Sequence, residues 1–129
     1  MKFVNKIVKQ GNSLCLRVPN IVVKELGLKE NFKVIAKIEP YNKIKKEKIA
    51  EILLDTSNKI PKLEKYTESK KKFFILLMQE IGEENSPLPE IIKEKKKEFG
   101  EKLIKEFWNF YNIMKNEGTL VEEGIIMFK

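Results

Sequence analysis

Val8-Lys9-Gln10-Gly11-Asn12-Ser13-Leu14-Cys15-Leu16-Arg17-Val18-Pro19 is the stretch whose reading decides the fold. Residues 2–10 mix β-branched and aromatic side chains with lysine and read as a strand. Gly11-Asn12 supplies residue types that tolerate positive φ, so the chain can reverse there. Residues 14–18 read as the returning strand, and Pro19, with no amide to give a ladder, stops it. Strand side chains alternate sides. Leu14, Leu16 and Val18 therefore share one face, and Ser13, Cys15 and Arg17 the other. A short strand of this kind puts a serine and an arginine on a rigid support whose back is apolar.

Outward from this hairpin, Asn20 is the expected N-cap of a short helix with Ile21, Val22, Leu26 and Leu28 on its apolar face. Gly27 sits where a C-cap glycine belongs. Phe32 to Ile38 alternates as a strand, Glu39-Pro40-Tyr41-Asn42 is a turn, and Lys43 to Lys48 is the expected partner strand. Such a unit is too short to bury a core alone. Chains of about forty to fifty residues without metal or disulfide usually need a partner.

After residue 48 the composition changes. Ile49-Ala50-Glu51-Ile52-Leu53-Leu54 predicts a helix that fades at Asp55. Phe73-Phe74-Ile75-Leu76-Leu77-Met78 is the most apolar run, and its leucines, methionine and following Gln79-Glu80-Ile81 favour helix over strand. Ser86-Pro87 opens a helical pattern running to about Asn116, with Gly100 the expected kink or break. Leu103, Ile104, Phe107, Trp108, Tyr111 and Met114 share one side of it, widened by Phe110 and Ile113. Their helical spacing points to packing rather than to a stacking platform for single-stranded nucleic acid. Thr119 to Lys129 reads as a short strand or an apolar tail. The expected architecture is α+β, with residues 1–48 as a β-rich N-terminal domain and residues 49–129 as a mainly α-helical region.

The 129-residue chain carries a formal charge of +7. Residues 1–40 hold eight basic and three acidic side chains, and residues 41–129 eighteen and sixteen. The excess thus sits with the hairpin, where a basic surface attracts polyanions. One cysteine and no histidine argue against a zinc site and against every His-based triad. No catalytic constellation stands out, so no enzyme activity and no cofactor are expected. No run is apolar enough to span a membrane and no signal-peptide pattern opens the chain. The single cysteine, Cys15, cannot form an internal disulfide, which fits the cytosolic setting expected.

The order basic strand, Gly11-Asn12-Ser13, Leu16-Arg17-Val18-Pro19, Ile21-to-Leu28 helix, then Phe32-Lys33-Val34, resembles the DNA-binding signature of the AbrB/MazE/SpoVT superfamily. The resemblance covers the first forty to fifty residues. Val8 and Gln10 flank Lys9 where many members carry a second basic residue and an aromatic. The resemblance implies a swapped-hairpin β-barrel completed by dimerisation, which also answers the need for a partner.

Arg17 is the single arginine among twenty-five lysines. Its planar fork pairs two-pronged with guanine or phosphate in a way lysine cannot copy. The plain alternative is a surface arginine on an edge strand. Lys6 and Lys9 suit phosphate contacts, which position without specifying sequence. Asn12 and Ser13 either touch DNA or simply make the turn. The expected function is sequence-specific binding of double-stranded DNA by a dimeric transcription regulator through Lys6, Lys9, Asn12, Ser13 and Arg17. The helical region would add higher-order contacts or receive an effector. The alternatives are an antitoxin whose C-terminal region binds a toxin, and an assembly protein that uses the barrel only to oligomerise.

Overall fold

In a computed structural model, which describes residues 1–84 and 86–118, strand β1 (Ile7–Gln10) pairs antiparallel with β2 (Ser13–Leu16). The loop between them is two residues long. Gly11 has φ of +61° and Asn12 does not share that sign, the pattern of a type II′ turn. Only the glycine uses the left-handed freedom the sequence offered at both positions. The turn fixes the register: Gln10 faces Ser13, Lys9 faces Leu14, Val8 faces Cys15 and Ile7 faces Leu16.

Helix α1 (Asn20–Leu26) follows. Pro19 takes the cap position instead of Asn20, and its carbonyl accepts from the amides of Val22 and Val23 at 3.0 Å. Proline's fixed φ already suits a helix entry, so no side-chain cap is needed. Gly27 ends the helix in the left-handed conformation as expected.

The next two expected strands differ from the structure. Residues 33–40 run without any ladder partner among the described residues, leaving Phe32, Val34, Ile35 and Ile38 exposed. Lys43 to Lys48 is not a strand. One 3-10 turn at Tyr41–Lys43 leads directly into helix α2 (Lys46–Asn58). Lysine and glutamate are depleted in strands and good helix formers, and Ile49 and Leu53 one turn apart give the helix a buried side. Nor does α2 fade at Asp55. Thr56 Oγ1 donates to the Ile52 carbonyl at 2.9 Å and Ser57 Oγ to that of Leu54 at 2.7 Å. These back-bonds satisfy both hydroxyls and let the last turn be buried.

Helix α3 (Glu68–Glu83) contains the apolar run, so the choice of helix over strand holds. Thr67 caps it by accepting from the Lys70 amide at 3.2 Å. The expected long C-terminal helix is two helices, α4 (Leu88–Phe99) and α5 (Glu101–Glu117), separated at Gly100 with φ of +88° and ψ of 154°. The expected segment from Thr119 onward lies outside the described residues.

Helices α2 to α5 pack around Leu53, Phe74, Met78, Phe107, Phe110 and Met114, all essentially inaccessible. Phe74 centres the aromatic packing, 5.4 Å from Phe110, 5.8 Å from Tyr66 and 5.9 Å from Phe107 between ring centroids. Phe107, Phe110 and Tyr111 are thus core, as their spacing suggested. The Lys95 side chain, 6% exposed, reaches Glu80 at 2.6 Å, Glu84 at 3.6 Å and Glu98 at 3.7 Å. From the N-terminal segment, Val4 joins the helical core and Ile21 packs against it.

Candidate nucleic-acid interface

Residues directly opposite in an antiparallel pair project from the same face. The register therefore puts Val8, Gln10, Ser13 and Cys15 on one side of the hairpin, and Ile7, Lys9, Leu14 and Leu16 on the other. Lys6 and Arg17 are the next pair outward from Ile7 and Leu16 and continue the first side. The structure thus brings Lys6 and Arg17 together and sends Lys9 out beside Leu14. Ser13 is on the Arg17 side but four residues away, about 13 Å along a strand. Asn12 is exposed at the tip of the turn.

Lys6, Lys9 and Arg17 nevertheless border one open depression of about 420 Å³, together with Asn5, Val8 and Gln10. Ser13 and Asn12 do not line it. Among the described residues Arg17 forms no ion pair. Three cationic side chains around a shallow concavity can meet phosphate oxygens, and an outward guanidinium can reach a base edge.

Asn5 is the residue that sequence reasoning missed. Its Nδ2 donates to the Arg17 carbonyl at 2.9 Å, and its Oδ1 accepts from the Lys6 amide at 2.9 Å. The signal was present in the numbering. A two-residue turn at Gly11-Asn12 pairs positions in order outward, which sets Lys6 across from Arg17 and Asn5 beside both.

The other face of the hairpin is not hidden. Leu14 is 76% exposed and Ile7 50%. A two-stranded ribbon covers neither of its faces, and the following extended segment does not fold back over it. Where α1 meets the helical unit, a smaller depression of about 250 Å³ is lined by Ile21, Lys24, Glu25, Lys59, Pro61 and Glu117. Its two lysines balance its two glutamates, and Lys59 pairs directly with Glu25. Lys59 Nζ lies 3.1 Å from Glu25, and that hydrogen bond, helped by the Glu25 and Asp55 charges, raises the Lys59 pKa. Glu117 bonds Lys62, which lowers the pKa of its carboxyl. This second depression offers no surplus charge of either sign.

No group of three or more His, Cys, Asp or Glu among the described residues is placed to hold a metal ion, and no helix there is long and apolar enough to cross a membrane. No protein-family model, no curated protein and no solved structure matches this chain.

Proposed function

We propose that this chain is a dimeric, sequence-specific binder of double-stranded DNA that regulates transcription, with residues 1–48 as the reader in the manner of the AbrB/MazE/SpoVT superfamily. One observation carries the reading: a single hairpin sets Lys6 and the lone Arg17 side by side on its polar face, while its apolar face stays open for a second chain. In this arrangement two chains interleave hairpins into one barrel. Burial of Ile7, Leu14, Phe32, Val34 and Ile38 drives the assembly, each side chain contributing ~1.5–3 kcal/mol when fully covered. Lys6 and Lys9 meet phosphates, and Arg17 reads a guanine edge. A two-fold reader calls for two related half-sites.

The helical region weighs against the antitoxin alternative. It has a packed core of its own, which suits an oligomer contact or effector site better than a tail that folds on a toxin.

The test is fluorescence anisotropy of wild type and Arg17→Ala on duplexes from the gene's own upstream region, across a salt series. The expected result is a steep salt dependence for wild type and a loss of ~1–3 kcal/mol in the variant, mainly on the preferred sequence. Absence of duplex binding by wild type at low salt would overturn the reading.

A further inference from the structure

The regular ladder of the hairpin ends at Ile7 and Leu16, yet the two side chains best suited to anions, Lys6 and Arg17, stand one step beyond it. Strand ends fray, and a two-stranded ribbon is marginal by itself. What lies at that open end is the half-buried side chain of Asn5. Its two bonds go to the two arms that extend beyond the strands: Oδ1 takes the Lys6 amide and Nδ2 gives to the Arg17 carbonyl, both at 2.9 Å. The amide also borders the depression that Lys6 and Arg17 line.

We infer that Asn5 is a positioning residue for nucleic-acid recognition, a bracket across the open end of the hairpin that fixes the backbones of Lys6 and Arg17 and so aims their side chains at one phosphate–base step. The inference rests on the DNA-binding reading and adds a residue to it. The chemistry requires a side chain that both donates and accepts. Alanine has neither group. Aspartate keeps the acceptor for the Lys6 amide, but when ionised it sets a negative oxygen against the Arg17 carbonyl. Contacts to a base edge depend on direction, whereas attraction to the phosphate backbone depends mainly on charge. Loss of the bracket should therefore cost discrimination and leave the salt slope alone.

The experiment is a double-mutant cycle on the full chain. Wild type, Asn5→Ala, Asn5→Asp, Arg17→Ala and the Asn5→Ala/Arg17→Ala pair are titrated by anisotropy against a preferred and a scrambled duplex. Amide hydrogen exchange of Lys6 is followed by NMR in wild type and Asn5→Ala without DNA. Asn5→Ala and Asn5→Asp should each weaken binding to the preferred duplex about fivefold and barely affect the scrambled one. In the Arg17→Ala background Asn5→Ala should cost less than twofold, because the arginine through which it acts is gone. A general folding defect would instead weaken both duplexes and persist in that background.

Equal losses in the two backgrounds, or no loss from Asn5→Ala, overturn the inference while leaving the DNA reading intact. So does a Lys6 amide that exchanges as fast in wild type as in Asn5→Ala. If wild type binds no duplex at low salt, the DNA reading and the role of Asn5 fall together, whatever the exchange data show.

Discussion

Residues 1–40 and residues 46–117 solve the problem of apolar surface in opposite ways. Nine of the ten large hydrophobic side chains that stand exposed among the described residues lie between Met1 and Ile38, and the tenth is Leu76. Of the seventeen buried side chains in the main core, sixteen lie between Ile49 and Met114. The helical unit finishes its packing within one chain. The N-terminal unit does not, and it also holds most of the surplus positive charge. The difference teaches that the two halves are finished to different degrees: one closes its apolar surface within its own sequence, and the other leaves its own open.

The sharpest way to break this contrast is to damage the finished half. Phe74→Ala empties the centre of the aromatic packing and should cost about 3–5 kcal/mol in urea unfolding. A loss under 1 kcal/mol would mean that the helical unit does not depend on this core. Next comes the unfinished half. Val34, 62% exposed, alternates with Lys33 and Ile35 on an extended segment. Val34→Asp should weaken self-association by ~1.5–3 kcal/mol per chain, read by sedimentation velocity against concentration, and leave the unfolding of the helical unit unchanged. Equal dimerisation of variant and wild type would remove Val34 from the interface.

Arg17→Lys tests the reader with a smaller change. The charge stays, so the salt dependence of DNA binding should match wild type, while the lost fork should cost about 1 kcal/mol of preference between duplexes. An unchanged preference would reduce Arg17 to a phosphate contact.

The two halves also differed in how legible they were. The hairpin, the α1 stop at Gly27, the helical apolar run and the break at Gly100 were all readable, because each is decided by local chemistry: turn glycines, a left-handed cap, side-chain period. The segments misread are those where lysine diluted the pattern. Lys43 to Lys48 reads as alternation only if Ile44 is weighted heavily, and the helix won because its partners Ile49 and Leu53 lie beyond the window. The buried turn at Thr56-Ser57 was missed because back-bonded hydroxyls look like loop residues in a sequence. At the site, alternation put Ser13 and Arg17 on one face and turn chemistry put Asn12 at the tip, but the sides from which Lys6 and Lys9 emerge needed the register. Counting outward from the turn places Asn5 beside Lys6 and Arg17, but its bonds to both became visible only in the structure, where the ladder stops one pair short of Arg17.

The finished half takes two lysines inside, Lys71 and Lys95, and Lys95 is the one ringed by carboxylates. Lys95 is held by its hydrogen bond to Glu80, and with the nearby charges of Glu80, Glu84 and Glu98 this raises its pKa above the ordinary lysine value against the opposing effect of burial. A lysine whose folded pKa exceeds its unfolded one, ~10.4, stabilises the protein fully below that value and stops doing so as pH rises through the folded pKa. Lys95→Met keeps the aliphatic stem and removes the titration. Two of the carboxylates Lys95 meets, Glu80 and Glu98, keep more than half of their side chains in water and are not stranded by its loss, so the variant should unfold within ~1 kcal/mol of wild type at pH 7. The difference should emerge only in alkali, where wild type loses stability through Lys95 and the variant does not. Thermal unfolding at pH 7 and pH 11 reads both. Parallel losses in the two proteins would mean that Lys95 adds nothing as a charge, and that its stem contributes to the helical unit only as packing.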